Sequence, residues 1–511
     1  MTHGIEHRVL KVSSVTGLST LLAMGFQLVS VPICLKYWGK EPYGRWLALY
    51  AAFMLVRSLD TGFVSYVGNK LNCLYHQDHV ALREHLASSI TGIAVISVLQ
   101  LSIGVVATFS NGVVLLLGVS PDPAADYQSS LALLVLIGTW ALSGSYLGVV
   151  HRLLIPTGLM YQAAWWSMGF QVSQFTGIIL AAMLHFDMFQ TSLLFSCIQF
   201  SVYLASAIYI RGKLPAFYPW WQDGRRRTGI KDLGSSTLLT ASNFIQQGTT
   251  NGTVMLVSAL SSPAVVPLFT TVRTLANLWT NVTNVLTTPL LPEVVRYHAT
   301  GEGRKLVTIS EAYWMLVGSA VNLGVLVTYP LIDPMYGYWT AHAVALDKSL
   351  LCMLLASVVL ANVGGLITLY LNGINRLGVV LAASGVRGIL SLVLGGILFF
   401  HFGLAGFGMA ILGGELLALL VLGHNFVRCE LSRQGVGLQV RSFMPITIST
   451  ASVLLFLMSE GLGFSLARYL YPVALLGVAT AALWGWSGME REVRTRLVRM
   501  IGNQFAGKGV A

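Results

Sequence analysis

Amide and cationic side chains follow one long apolar stretch of the sequence at helical spacing. Four polar residues lie at intervals of four, four and three: Arg273, Asn277, Asn281 and Asn284. A helix would place all four on one face. The preceding apolar stretch carries a second polar set that includes Asn243 and Gln247. A cation at one end of a row of amides suits a hydrophilic, anionic ligand, because guanidinium groups bind anionic oxygens and amides bind hydroxyl groups.

Two interpretations of these polar rows are open. The side chains either hydrogen-bond between helices as structural contacts, worth about 0.6 kcal/mol each on average in membranes, or they line a polar cavity that binds a substrate. Arg273 favours the cavity, since a charge in hydrocarbon costs at least about 2.5–3.5 kcal/mol. Either way, the rows are expected to face protein or water rather than lipid.

Two pairs of opposite charges also lie within apolar stretches. Arg57 and Asp60 are three residues apart, so they share a helix face and either form an ion pair or leave one member facing a cavity. Arg387 and Glu415 lie in consecutive stretches and either pair with each other or act separately. If they act separately, Arg387 adds to a cationic lumen and Glu415, like Asp60, is a candidate site for a coupling proton, because burial raises a carboxyl pKa.

These residues must be positioned by membrane helices. Of the 511 residues, 55% are hydrophobic and only 10% are charged, whereas a soluble domain has about 25% charged residues. The apolar runs, such as 470–486, are continuous, unlike the alternating pattern of a membrane β-barrel. Because about 20 apolar residues cross the hydrocarbon core as a helix, we predict an all-α integral membrane protein surrounded by membrane lipid.

The distribution of Lys and Arg supports a specific number of spans. Fourteen spans are predicted at approximately 12–35, 44–68, 87–109, 129–150, 161–184, 190–210, 234–259, 264–290, 309–331, 349–371, 378–400, 404–427, 444–460 and 469–488. If the N-terminus is cytoplasmic, 23 of the 31 Lys and Arg residues fall in cytoplasmic segments and five on the opposite side. Removing one span would reverse every later loop and destroy this positive-inside bias. We therefore predict that both termini are cytoplasmic.

The spans divide into two groups. Residues 211–233 form the longest segment between spans and are basic. We predict an N-terminal six-helix bundle over 1–210, a basic cytoplasmic linker over 211–233, a C-terminal six-helix bundle over 234–427, and two extra transmembrane helices with a basic cytoplasmic tail over 428–511. Paired bundles are frequent in transporters, and no loop is long enough for a separate catalytic domain of about 50 residues or more.

Motifs of enzymes and of metal sites are missing from the sequence. The nearest to a phosphate-binding loop, GNQFAGKG at 502–509, lacks the required Ser or Thr. The five cysteines form no CxxC pair, and no basic run has the interleaved aromatic residues of a nucleic-acid surface. We predict a transporter that is not an enzyme, with no catalytic residue, no cofactor, no metal site and no nucleic-acid partner.

One N-terminal segment carries a family resemblance. Residues 31–62, VPICLKYWGKEPYGRWLALYAAFMLVRSLDTG, resemble the polysaccharide-transporter family, which contains the Wzx-type O-antigen flippases. The matching positions are Pro32, Gly39, Tyr43, Gly44, Trp46, Asp60, Thr61 and Gly62, with Asn69 following. Segments 289–306 and 369–378 are similar to the C-terminal half of that family.

This resemblance implies a MATE-like fold of the multidrug/oligosaccharidyl-lipid/polysaccharide exporter (MOP) superfamily. It implies a flippase in the bacterial inner membrane that moves undecaprenyl-pyrophosphate-linked oligosaccharide to the periplasmic leaflet by alternating access. A polysaccharide polymerase and a chain-length regulator are expected partners. Intramembrane arginines would bind substrate, and acidic residues would couple transport to an ion. The candidate substrate-binding residues are Arg57, Arg273, Asn277, Asn281, Asn284, Asn243, Gln247 and Arg387, and the coupling-ion candidates are Asp60 and Glu415.

Three other functions stay open at this stage. A lipid II flippase and a multidrug exporter of the same superfamily have similar folds, although the arginines argue against cationic drugs. An integral membrane polysaccharide polymerase or ligase would also be polytopic, but it would be expected to carry a large periplasmic loop with catalytic Arg or His. The corresponding segment here, 333–348, is short.

Overall fold

A computed structural model of the chain describes residues 2–75, 77–110, 112–117, 123–287, 290–374, 376–433, 435–437 and 440–488. Within these ranges the secondary structure is helical and contains no strand. The predicted all-α fold class is therefore confirmed. The basic tail predicted beyond the last span begins at residue 489 and lies outside the described residues.

The α-helices are numbered in chain order. They are α1 Thr2–Tyr37, α2 Lys40–Arg57, α3 Thr61–Tyr75, α4 His79–Phe109, α5 Gly112–Leu117, α6 Pro123–Thr139, α7 Ser145–His151, α8 Met160–Met183, α9 Met188–Lys213, α10 Arg226–Gln247, α11 Thr253–Leu260, α12 Val266–Thr287, α13 Leu291–Ala299, α14 Gly303–Tyr313, α15 Ser319–Trp339, α16 Lys348–Gly373, α17 Leu377–Ile389, α18 Gly395–Phe402, α19 Leu404–His424, α20 Val440–Gly461 and α21 Ala467–Gly488.

Wider π-helical turns continue several of these helices without breaking them. The π segments are Trp140–Gly144, Gly248–Gly252, Trp314–Gly318, Leu390–Leu394 and Asn425–Leu431, and short 3₁₀ segments lie at Arg152–Leu154, Pro215–Phe217 and Pro263–Val265. Each π turn widens the helix by one residue and re-aims the side chains that follow, which is why such turns are frequent at functional sites.

Local sequence signals set several helix ends. The Asp78 side chain accepts hydrogen bonds from the first backbone N–H groups of α4. Asp187 forms a capping box with Gln190 at the start of α9. Gly39 separates α1 from α2 at φ 80°, a conformation that glycine adopts without steric cost.

All fourteen predicted spans fall on helices or helical runs of the described chain, apart from residues 288–289 of the span 264–290, which lie outside the described residues. Within the described residues, nine helices are long and apolar enough to cross a membrane, and ten if the bent pair α2 and α3 counts as one span. The protein is therefore a multi-pass membrane protein. Four predicted spans lie on α1, on α8, on α10 with α11, and on α12, which are not among these helices. For α12 the polar stripe that starts at Arg273 accounts for this.

The chain forms two compact units that are each discontinuous in sequence. Unit 1 contains Met1–Val272, Pro334–Leu346 and Gly388–Phe407. In this unit α1 packs on α8, and α10 packs on both α3 and α4. Gly62 of α3 allows a very close approach, because a Cβ atom there would lie 2.2 Å from the backbone nitrogen of Thr240.

Unit 2 contains Arg273–Asp333, Asp347–Arg387 and Gly408–Ala511. Its centre is α16, whose side chains are buried along most of its length. The two C-terminal helices, α20 and α21, pack against each other, and α20 also packs on α16. Two hydrogen bonds between buried groups link its helices: Asn322 donates to Ser449 at 2.8 Å, and the Trp314 indole donates to the Val363 carbonyl at 3.0 Å.

The segment predicted as a linker takes part in the packing of unit 1. Helix α10 begins at Arg226, and Asp232, which is buried, contacts Lys70 at 3.1 Å and His85 at 3.3 Å. The end of the segment is thus the first part of a packed helix. The division into bundles at 1–210, 234–427 and 428–511 stays a prediction.

Candidate substrate-binding site

A break between two helices of unit 1 holds Arg57 and Asp60. Arg57 is the last residue of α2, and α3 begins at Thr61 after a bend of 42°. Asp60 is buried, with 1% of its surface exposed, whereas Arg57 is half-buried. The bend therefore brings an arginine and an aspartate to the middle of a long helical run.

Trp140 contacts both of these residues. Its indole Nε1 donates a hydrogen bond of 2.7 Å to Asp60 Oδ2, and the guanidinium carbon of Arg57 lies 3.8 Å from the centre of the indole ring. Trp140 is the first residue of the π segment between α6 and α7. One side chain thus binds the carboxylate through its edge and the cation through its face, a favourable geometry for a cation–π contact.

The carboxylate of Asp60 has further neighbours on other helices. Ser145 Oγ donates to Oδ2, and the Gln100 side chain accepts from the same hydroxyl group at 3.3 Å while donating to the Val56 carbonyl at 3.2 Å. Ser145 and Gln100 are fully buried. Asp60 is therefore held by neutral donors from the helical run that contains α6 and α7.

The direct ion pair between Arg57 and Asp60, one of the two sequence-based alternatives, is not formed in the structure. The two residues are both described, and their charged groups do not come within 4.0 Å of each other. Trp140 and Ser145 both donate to Oδ2 of the carboxylate, while the guanidinium lies on the Trp140 ring and its Nη1 is 3.8 Å from the Met54 sulfur. The alternative, that one member faces a cavity, stays a prediction.

Aromatic residues surround this cluster. The ring of Tyr203 meets Trp140 edge-on at 6.0 Å, and the hydroxyl group of Tyr50 donates to Gln174 at 3.3 Å. Tyr203 is buried. Such packing restricts the rotamers of Trp140 and so fixes the position of the groups that it binds.

Helix α12 carries the predicted amide row on its more exposed face. Asn277 and Asn284 are exposed, and Arg273 and Asn281 are half-buried. The opposite face is apolar and buried, with Phe269, Val272 and Ala276 each at most 1% exposed. The polar stripe is thus not packed into the protein core.

The amide row of α10 is partly engaged within its own helix. Asn243 is half-buried, and Gln247 accepts a hydrogen bond of 2.8 Å from Asn251 one turn later. Gln247 is the last residue before the π segment Gly248–Gly252. Its amide nitrogen keeps its hydrogen-bonding capacity for other groups.

Arg387 and Glu415 form an ion pair in unit 2. Arg387 Nε lies 2.9 Å from Glu415 Oε2, and the two side chains are 22% and 17% exposed. The sequence-based alternative in which these residues pair is confirmed. The π segment Leu390–Leu394 follows Arg387 by three residues.

Sequence reasoning missed Trp140, Ser145 and Gln100. They lie 40 to 85 residues from Asp60 along the chain, and none is ionisable, so neither charge nor local spacing pointed to them. The described residues also contain no group of three or more His, Cys, Asp or Glu side chains that could hold a metal ion.

Solved structures with the same architecture are membrane transporters. The chain is similar to a lipid II flippase MurJ in an inward closed conformation, with a TM-score of 0.68 and 14% identity over 94% of this chain and 99% of that one. It is similar to an inward-facing multidrug resistance MATE family transporter of the MOP superfamily, with a TM-score of 0.61 and 15% identity over 83% and 99% of the two chains.

A third similar structure is the Vibrio cholerae MATE transporter VcmN in the bent form, with a TM-score of 0.55 and 15% identity over 85% and 98% of the two chains. No protein-family model and no curated protein sequence matches the chain. At these identities the similarity shows the fold. The predicted MATE-like fold is confirmed.

Proposed function

We propose that this protein is a flippase that moves undecaprenyl-pyrophosphate-linked oligosaccharide, an O-antigen or exopolysaccharide repeat unit, across the bacterial inner membrane by alternating access. The fold is that of transporters, one of which is a lipid II flippase. The resemblance of residues 31–62 supports the polysaccharide type of substrate.

The exposed amide row of α12 carries this proposal. A helix that buries Phe269 and Ala276 while exposing Asn277 is unfavourable in contact with lipid, because moving an amide from water into hydrocarbon without a hydrogen bond costs several kcal/mol, about 2–7. We therefore expect that face to meet water at membrane depth. A water-lined path is what a charged glycolipid headgroup needs in order to cross.

Arg57 supplies the second element of the proposal. Its guanidinium has no carboxylate within 4.0 Å among the described residues and rests on an aromatic ring. A guanidinium group can bind phosphate oxygens through two parallel N–H groups. We assign Arg57 and Arg273 to the pyrophosphate, and Asn243, Gln247 and the α12 amides to the sugar hydroxyl groups.

The acidic residues are proposed to couple transport to an ion. Asp60 is bound by neutral donors, whereas Glu415 is neutralised by Arg387. Protonation of Glu415 would release Arg387 for the substrate. The proposed orientation places both termini in the cytoplasm, as the Lys and Arg bias favours, and a polymerase and a chain-length regulator are proposed to receive the product.

A lipid II flippase is the second candidate, because the similarity to MurJ extends over 94% of the chain. Deletion of the gene separates the two. Loss of surface polysaccharide with repeat units accumulated on the cytoplasmic leaflet, and a normal cell wall, supports the proposed function. Cell lysis with depleted peptidoglycan supports the lipid II alternative, and unchanged glycans reject both.

The role of Arg273 is tested by complementing that deletion with Arg273→Ala. We expect export of the polysaccharide to fall while the protein remains in the membrane at the wild-type level. Arg304→Ala is the control, because Arg304 is exposed at the start of α14. Full export by Arg273→Ala would remove this residue from the mechanism.

A further inference from the structure

We propose that Trp140 is a positioning residue that holds Arg57 and Asp60 apart, so that the Arg57 guanidinium stays available to an anionic ligand. The positions of the three side chains carry the first part, and the ligand rests on the proposed function. Trp140 binds Asp60 through its N–H group at 2.7 Å and Arg57 through its ring at 3.8 Å.

The chain spacing makes this separation necessary. Residues three apart in a helical turn lie close enough for an Arg–Asp ion pair, and the backbone N–H of Asp60 already points to the Arg57 carbonyl at 3.4 Å. Without another donor, a buried carboxylate would bind the nearest cation, because an unpaired buried charge is costly. Trp140 and Ser145 supply donors that carry no charge.

The two contacts of Trp140 have different chemical requirements, so variants can separate them. Trp140→Phe keeps an aromatic face for Arg57 and removes the N–H donor. Trp140→Leu removes both the face and the donor. Ser145→Ala removes the other donor to Asp60 and leaves the ring of Trp140 in place.

The first measurement is binding of inorganic pyrophosphate to the purified protein. In Trp140→Phe we expect Asp60 to turn to Arg57, and the affinity for pyrophosphate to fall about tenfold, as for loss of one charge-assisted contact. Adding Asp60→Asn to that variant removes the competing carboxylate and should restore the affinity to within about twofold of wild type. A structural role for Trp140 alone would not produce this rescue.

A matched control is available in α8. Trp165 is 41% exposed and its ring contacts Tyr161 at 6.2 Å. Trp165→Phe should bind pyrophosphate as wild type does. Wild-type affinity in Trp140→Phe, or failure of Asp60→Asn to rescue it, would overturn the proposal.

A second measurement is independent of any ligand. In protein labelled with 5-fluorotryptophan, the ¹⁹F resonance that disappears in Trp140→Phe belongs to Trp140. We expect this resonance to shift in Asp60→Ala and in Arg57→Met, and to stay in place in Arg387→Met. A resonance that moves in neither of the first two variants overturns the positioning role.

The two measurements distinguish this proposal from the proposed function. If the Trp140 resonance moves as expected but the wild-type protein does not bind pyrophosphate, the positioning role stands and the assignment of Arg57 to the pyrophosphate fails. If pyrophosphate binds and the resonance does not move, the assignment stands and the positioning role fails.

Discussion

Two regions of the molecule place an arginine near a carboxylate within apolar helical runs. The two pairs make different contacts. In unit 1, Arg57 lies on the ring of Trp140, and Asp60 is bound by uncharged donors. In unit 2, Arg387 binds Glu415 directly at 2.9 Å. Both regions adjoin a π-helical turn.

The difference lies in a third side chain, since Trp140 contacts both members of the first pair while Arg387 and Glu415 contact each other directly. An ion pair neutralises both partners, and the pair then adds little to ligand binding. A carboxylate that is held by an indole and a hydroxyl group leaves its neighbouring guanidinium positive. In our proposal, Trp140 keeps Arg57 available to a ligand, although Trp140 itself carries no charge.

The largest expected effect is in unit 1. Arg57→Met should weaken pyrophosphate binding by about 10- to 100-fold, since a hydrogen bond to a charged group contributes about 1.5–3 kcal/mol. The double variant Arg387→Met with Glu415→Met, which removes the ion pair as a whole, should bind within about threefold of wild type. Equal losses in the two proteins would mean that the two regions do not differ in function.

The next effect concerns stability in unit 2. Arg387→Met alone leaves Glu415 without its partner and should lower the free energy of unfolding by about 1–3 kcal/mol, less than the roughly 3–5 kcal/mol of a fully buried pair, because both groups are partly exposed. Thermal unfolding in detergent measures this. The double variant serves as the control and should recover most of the loss. No recovery would show that the ion pair is not the cause.

A smaller effect is expected from the amide row. Asn277→Leu should weaken binding of the lipid-linked oligosaccharide by about 2- to 10-fold, which corresponds to one lost hydrogen bond of about 0.5–1.5 kcal/mol. Pyrophosphate binding should not change. The control is Val282→Ala on the same helix, since Val282 is 40% exposed and apolar. If Asn277→Leu weakens the binding of both ligands equally, the α12 amides do not bind the sugar.

The smallest effect is expected at an exposed ion pair of unit 1. Arg225 Nε lies 2.9 Å from Glu84 Oε1, but the arginine side chain is 73% exposed. Arg225→Ala should change the free energy of unfolding by less than about 1 kcal/mol, because water screens such pairs. A loss as large as that of Arg387→Met would show that burial does not control the strength of these pairs.

The sequence predicts the helices well because each helix coincides with a local run of apolar residues. Apart from residues 288–289, all fourteen predicted spans lie on helical segments of the described chain, and the polar row of α12 lies on one exposed face as its spacing indicates. The pairing of charges is not local. The Trp140 partner of Asp60 is 80 residues away, and its choice depends on how α6 approaches the bend between α2 and α3.

The packing of Asp232 was missed for a similar reason. The charges of 211–233 indicated a basic cytoplasmic linker, yet Asp232 is buried between α3 and α4 with Lys70 and His85 as partners. The composition of a segment gives the number of its charged residues. It does not show which of them form ion pairs in the folded protein. The π-helical turns also have no characteristic residue composition, so their positions could not be predicted from the sequence.

The central claim is most directly tested by transport in reconstituted vesicles. Fluorescent undecaprenyl-pyrophosphate oligosaccharide is placed in one leaflet, and its arrival in the other leaflet is followed by an impermeant quencher. We expect rapid arrival with the wild type and with the control Arg304→Ala, and loss of arrival with Arg57→Met. Wild-type transport by Arg57→Met, or no transport by the wild type, would contradict it.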